Sequence, residues 1–197
     1  MSVVSESPLT YKSVILENGD SYFGTIIGGK FEGYGVLTFS DADKLNRSVF
    51  KGFFSNSLRE GYGTLKFKNG NKFKGLCQND MANGLGEFIY SNGEKYTGHF
   101  CDDKATGVGE YYYSNGDIYK GNWFNNMKNA YGEMVYNNGN IYKGNFYNNK
   151  FNGYGELTYY KNINGMNKLS ERYEGNFMEG KKHSFGRLSV FDCITDG

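Results

Sequence analysis

The chain of 197 residues contains one Pro, four Ala and three Cys, and its 22 Lys and Arg nearly balance its 21 Asp and Glu. Few Ala argue against a helical bundle, because Ala is the strongest helix former. A net charge of +1 gives no sign of a nucleic-acid partner, and no run reaches the roughly 18 apolar residues of a membrane span. Three Cys, an odd number, are typical of a reducing compartment. The sequence therefore predicts a cytoplasmic protein without a nucleic-acid partner.

Gly (29 residues) and the aromatics are abundant, and 18 Tyr, 16 Phe and one Trp outnumber the Leu, Ile and Val. An internal repeat accounts for both. A Gly pair follows each starting aromatic at a fixed distance, with Ala130 and Ser184 replacing its first member in two copies. We predict an N-terminal half repeat and seven repeats within residues 11–191, with tails at 1–10 and 192–197. The repeats start near Tyr22, Phe50, Phe73, Tyr96, Tyr119, Tyr142 and Tyr173.

Each repeat has the pattern of two short strands. Apolar and polar residues alternate with period two, and Asn-Gly, as in Asn138-Gly139, follows the second strand as a hairpin signal. The sequence predicts an all-β protein, an elongated single-layer antiparallel meander of about fourteen strands. Because no second layer is evident, we expect each aromatic ring to lie flat over the backbone of a neighbouring strand, where Gly has no side chain.

The unit Tyr119–Asn125, followed by Gly132 and Asn138-Gly139, resembles the MORN repeat (membrane occupation and recognition nexus). This resemblance implies a binding module of the kind found in junctophilins, lipid kinases, myosin-tail adaptors and parasite cytoskeletal scaffolds. It specifies a fold better than a function. Residues 1–10 and 192–197 are too few for a kinase or methyltransferase domain, and the Cys and His residues show no nucleophilic arrangement. The chain is therefore predicted not to be an enzyme.

Twelve aromatic residues, here called the aromatic stripe, are the candidate partner-binding groove. A single layer is expected to leave them exposed, and a long exposed apolar groove is typical of a binding surface. Trp123 is the expected anchor for a peptide or helix of a cytoskeletal or membrane-associated protein. Self-association and purely structural stacking are the alternatives. The stripe comprises Tyr22, Phe50, Phe54, Phe73, Tyr96, Phe100, Tyr119, Trp123, Tyr142, Phe146, Tyr173 and Phe177.

Four lysines that follow starting aromatics, here called the basic row, are Lys51, Lys74, Lys120 and Lys143. Strand alternation places them on the face opposite the aromatic stripe. There they face anionic phospholipid head groups in one interpretation. An ordinary solvated face is the other interpretation, because four glutamates are expected to interleave with them: Glu87, Glu110, Glu133 and Glu156.

No metal and no cofactor are predicted. His99 and Cys101 share a strand face and Asp102 follows, but a zinc site needs four ligands. These are either solvated edge residues or part of a site completed by a second copy. End strands near Val14 and Val190 leave unpaired backbone groups, which favours an edge-to-edge homodimer.

Together these features predict a non-catalytic adaptor or scaffold that binds a partner segment along the aromatic groove, in the cytoplasm or at the periphery of a membrane or the cytoskeleton. The alternative is a peripheral membrane tether that binds anionic phospholipids.

Overall fold

The computed structural model describes residues 11–191, which form fifteen strands and no helix. The predicted tails, residues 1–10 and 192–197, lie outside the described residues. The chain divides between Ser91 and Asn92 into two compact units. Within each unit, every strand pairs antiparallel with the next strand along the chain. The predicted all-β antiparallel meander is therefore confirmed.

The first unit contains seven strands, which are β1 (Tyr11–Ile15), β2 (Ser21–Ile27), β3 (Lys30–Thr38), β4 (Arg47–Ser55), β5 (Leu58–Phe67), β6 (Lys72–Gln78) and β7 (Met81–Ile89). The second unit contains eight, which are β8 (Lys95–Cys101), β9 (Lys104–Tyr112), β10 (Ile118–Phe124), β11 (Met127–Val135), β12 (Ile141–Tyr147), β13 (Lys150–Ile163), β14 (Met166–Met178) and β15 (Lys181–Val190). Each even-numbered strand from β2 to β14 begins one predicted repeat.

The core of each unit consists of aromatic rings that lie on glycine backbone, as expected. A Cβ atom added at Gly144 or at Gly155 would lie 2.6 Å from the Tyr142 hydroxyl oxygen. Gly144 and Gly155 face each other across β12 and β13. The ring therefore covers the glycine of its own strand as well as that of the neighbouring strand.

A bulge in each second strand accompanies this packing. Between the pairs Gly144↔Gly155 and Phe146↔Phe151, β12 has one residue and β13 has three. Gly153, within the bulge, has a φ of 74°, which suits glycine. At the same repeat position Ala130 has a φ of 54°, so the replacement noted in the sequence places a side chain in left-handed backbone.

The Asn-Gly links are turns, but they are not the two-residue turns that this dipeptide favours. At Asn138-Gly139 only the glycine is left-handed, and Gly139 N–H donates to the Tyr136 carbonyl. The loop has three residues and is closed by Tyr136 N–H, which donates to the Asn140 carbonyl. The tight two-residue turns lie at the other link, where Asn148 and Asn149 have φ values of 47° and 70°. Sequence reasoning assigned the hairpin signal to the Asn-Gly links because that dipeptide is the better-known signal, although Asn also tolerates left-handed backbone.

Asparagine and aspartate side chains connect successive turns within a unit. The Asn149 side-chain oxygen accepts a hydrogen bond from the Lys128 backbone N–H at 2.8 Å. On the opposite edge, the Asn140 side chain accepts from Tyr160 N–H at 2.9 Å. These links hold neighbouring hairpins in register, which gives the many Asn residues a structural role.

Candidate interaction surfaces

The aromatic stripe is buried. All twelve of its residues are between 0 and 7% exposed. The expectation that a single layer leaves these rings open to water is therefore wrong. Without Cβ atoms at the paired glycines, the rings sink onto the backbone and cover one another edge to face. That they bind a partner stays a prediction.

Tyr142 shows how a stripe ring is covered. Phe151 stacks on it with a centroid distance of 3.6 Å, and Phe177 meets it edge-on at 5.1 Å. The Tyr142 hydroxyl donates to the Asn145 carbonyl at 2.9 Å. Burial raises the pKa of Tyr142 above its ordinary value, and the same cause raises the pKa of Tyr96 to about 12. These hydroxyls stay protonated and structural at neutral pH.

Trp123, the expected anchor, is a core residue. Its ring lies 5.1 Å from Tyr96 and 5.3 Å from Tyr119, edge-on to both, and its indole N–H donates to the Gly109 carbonyl at 3.2 Å. Ala105 stands where Phe151 stands in the repeat of Tyr142, so this repeat has no ring at that position. Replacing Trp123 with Ala would cost about 3–5 kcal/mol of stability, so it would not report on binding alone.

Lys128 lies among the rings of the second unit. Its Nζ donates to the Tyr113 hydroxyl at 2.9 Å and lies 5.3 Å from the centre of the Tyr119 ring. Burial lowers the pKa of Lys128. The ring faces attract the charge, so this half-buried lysine packs on the aromatic face and does not belong to the basic row.

The basic row alternates with acidic residues in the second unit, as the sequence suggested. Lys120 lies 3.1 Å from Glu110, and Lys143 lies 3.5 Å from Glu133. The Glu110 carboxylate raises the pKa of Lys120. Such a ladder of opposite charges presents little net charge to a membrane. In the first unit, Lys51 faces Val36 and Thr64 instead of an acid, whereas Lys74 faces Glu87.

A second apolar row lies on the outer face, opposite the stripe, and sequence reasoning missed it. In the first unit we call it the outer row. Its residues are 41–50% exposed, although they lie at one level on four consecutive strands, β3 to β6. The signal was an apolar residue beside the repeat glycines. On the second strand of a repeat it lies between the two glycines of the pair, as in Gly61-Tyr62-Gly63, and on the first strand it follows the glycine, as in Gly52-Phe53. The outer row comprises Tyr34, Phe53, Tyr62 and Leu76.

The equivalent positions of the second unit alternate with asparagine. Tyr131 faces Asn145, and Tyr154 faces Asn176. In the first unit, Tyr34 faces Phe53 with ring centroids 5.6 Å apart. Only the first unit therefore has a continuous apolar row at this level.

A shallow depression of about 230 Å³ lies on the aromatic face of the second unit. Half-buried Tyr136, Phe151, Leu157 and Tyr159 line it, together with Asn140. A partner side chain that entered this depression would reach the rings of Phe151 and Tyr159.

The candidate metal ligands do not assemble. Among residues 11–191, no group of three or more His, Cys, Asp or Glu side chains is placed to hold a metal. Cys101 is exposed and the His99 ring lies beside the Val108 carbonyl at 3.5 Å. In the same range no helix has the length and apolarity needed to cross a membrane.

The model of the MORN repeat matches this chain seven times. The matches together span more than half of the chain, at residues 22–44, 50–72, 78–95, 96–118, 119–141, 142–162 and 173–189. The chain belongs to the MORN-repeat family. Six matches begin at the predicted starting aromatics, and the third MORN match begins at residue 78 instead of near Phe73.

Other comparisons add little to this assignment. No curated protein sequence matches the chain. The TCP domain of SAS-4 (dCPAP) of Drosophila melanogaster, solved in complex with a proline-rich motif of Ana2 (dSTIL), is 13% identical. That match covers 86% of this chain and 95% of the SAS-4 chain, with a TM-score of 0.36. A likeness at this TM-score carries no inference about function.

Proposed function

We propose that this MORN-repeat chain is a non-catalytic adaptor that holds an apolar segment of a partner protein against the outer row of its first unit. The exposure of the outer row supports this proposal most directly. Its four side chains are about half exposed, whereas the rings of the aromatic stripe are buried. Contiguous apolar surface that water reaches usually marks a binding site in a protein.

The dimensions of the outer row indicate the form of the segment. Four strands at about 4.8 Å spacing extend roughly 14 Å, which equals between two and three turns of an α-helix. Apolar residues at i, i+3 or i+4 and i+7 of a partner helix would meet the row. Lys51 and Lys74 flank Phe53 and Leu76 on the same face, so acidic residues along one side of that helix would complement them.

The charges on the other flank of the outer row are already engaged. Glu32 accepts a hydrogen bond from Asn56 N–H at 2.8 Å, and Glu60 accepts one from Asn79 N–H at 3.1 Å. On the lysine flank, Lys74 faces Glu87 on β7 but Lys51 faces no acid, so Lys51 offers the freer charge to a partner. We place this adaptor in the cytoplasm or at the periphery of a membrane or the cytoskeleton, as the family resemblance suggests.

The test compares surfaces with matched substitutions. Phe53→Ser with Tyr62→Ser changes the outer row, and Tyr131→Ser with Tyr154→Ser makes an equal change at exposed positions of the second unit. Partners captured by the wild type are identified by mass spectrometry, purified and titrated against each variant. We expect the first pair to weaken binding at least tenfold and the second pair to leave it unchanged.

A third pair, Tyr136→Ser with Tyr159→Ser, tests the depression on the aromatic face. Loss of the partner in this pair alone would overturn the outer-row proposal and support the stripe prediction. The membrane tether would instead be supported if the chain bound vesicles containing phosphatidylserine and captured no protein partner. Lys51→Glu and Lys74→Glu would then have to abolish vesicle binding.

A further inference from the structure

At the last strand of the second unit, β15, one stripe ring, Tyr173, is buried but has fewer covering rings than Tyr142. Tyr142 is covered by Phe151 from the next strand and by Phe177 from the strand after that. At Tyr173 the place of Phe151 is taken by Lys182 on the next strand, whose ammonium lies 4.7 Å from the Tyr173 ring centre. Among residues 11–191 no strand follows β15, so no ring takes the second place.

Apolar side chains on β15 are uncovered for the same reason. Leu188 faces Tyr173 across the pair and is 54% exposed, and Val190 on the same side is 69% exposed. Leu157, at the repeat position of Leu188, is half-buried because a strand lies on each side of it. Phe185, on the outer face, is 89% exposed. A further strand would cover both faces.

The charged residues of β15 indicate the composition of a strand that would pair with its open edge. Lys181, Lys182, His183 and Arg187 lie on it, and it has no acidic residue. Pairing with β15 of a second copy would oppose like charges, which destabilises a sheet. Strand β1 of a second copy carries Lys12 and no acid, so it offers no complement either. The occupant that fits is acidic and is not another copy of this chain.

We propose that the open edge of β15 binds an extended acidic segment of a partner protein as its next antiparallel strand. The repeat register defines the segment, because β14 already pairs with β13 in this way. There Phe177 faces Gly153 and Glu174 faces Glu156. The corresponding partners on β15 are Ser184 and Arg187. The segment therefore carries a carboxylate opposite Arg187 and, three residues later, an aromatic residue beside Tyr173.

The probe is a fluorescent synthetic peptide, Glu-Tyr-Glu-Gly-Asp-Phe-Glu, titrated against the full chain by anisotropy. We expect saturable binding that weakens roughly tenfold with Arg187→Glu, since an attractive pair with the peptide becomes repulsive. Because Arg187 also faces Glu174 on β14, hydrogen exchange of the free variant has to show that β15 is still paired. Lys104→Glu, an equal charge change at the exposed start of β9, is the matched control and should have no effect. Replacing the peptide Phe with Ala, or its acids with Lys, should abolish binding.

Hydrogen exchange locates the contact and guards against misfolding. The bound peptide should slow the hydrogen exchange of β15 amides. If circular dichroism shows that Arg187→Glu is unfolded, Lys181→Glu is used in its place, because Lys181 faces Met178. No saturable binding below about 1 mM, equal weakening by Lys104→Glu, or slowed exchange confined to other strands would overturn the proposal. So would a dimer held through β15. The Phe53→Ser and Tyr62→Ser variant should bind the peptide normally, so this site and the outer row are tested separately.

Discussion

Two glycines of one repeat, Gly155 and Gly153, allow a direct test of the ring packing. At Gly155 a new Cβ would lie 2.6 Å from the Tyr142 hydroxyl oxygen and 2.8 Å from two ring carbons. The ring cannot rise, because Phe151 stacks on its other side at 3.6 Å. At Gly153 the nearest atom to a new Cβ is 3.7 Å away, an ordinary contact, but the φ of 74° remains.

The two substitutions should therefore differ in cost. Gly153→Ala adds only backbone strain, about 1–2 kcal/mol. Gly155→Ala forces the strands apart or expels a buried ring. Overpacking and lost burial together should lower the free energy of unfolding by about 3–5 kcal/mol. Urea unfolding followed by circular dichroism and by Trp123 fluorescence measures both. In a Tyr142→Ala background, Gly155→Ala should cost much less, because the ring that it meets is gone.

Equal costs for the two glycines, or a Gly155→Ala cost below about 1 kcal/mol, would refute the packing argument. So would an unchanged cost in the Tyr142→Ala background. Any of these three results would mean that the paired glycines are retained for backbone conformation and not for the ring.

Three further predictions follow from the same geometry. Ala130→Gly and Ser184→Gly should each raise the free energy of unfolding by roughly 1 kcal/mol, since both residues have φ near 55° and both are exposed; no gain in urea midpoint would contradict this. Tyr142→Phe should lower stability by about 1 kcal/mol through the lost bond to the Asn145 carbonyl, and a neutral result would show that water replaces it. Stability should fall as pH rises from about 10 to about 12, because an unfolded tyrosine ionises while buried Tyr96, with its pKa near 12, stays protonated. Tyr96→Phe should flatten that fall, and unchanged steepness would argue against it.

Much of the fold was predictable because the repeat leaves local signals. The spacing of Tyr142, Gly144 and Gly155 predicts two strands and a ring on glycine, and all three are found together. Period-two alternation also separated the stripe from the basic row within each unit. The salt bridge between Lys120 and Glu110 follows from the same alternation.

The candidate site was less predictable, because exposure depends on packing between strands. No local pattern shows that Trp123 is buried edge-on against Tyr96, which belongs to the preceding repeat. The outer row had a local signal in Tyr62 between two glycines. The exposure of Tyr62 was not recognised, because the bulge beside it decides whether its side chain points to the aromatic face or to the outer face.

The measurement that tests the adaptor proposal most directly is site-specific photo-crosslinking in lysate. A photoreactive phenylalanine analogue replaces Phe53 in the outer row, Tyr159 on the aromatic face, or Tyr131 on the outer face of the second unit. The proposal predicts one protein adduct that forms from position 53 and from neither of the other two. Adducts from position 159 alone, or no protein adduct from position 53, would contradict it.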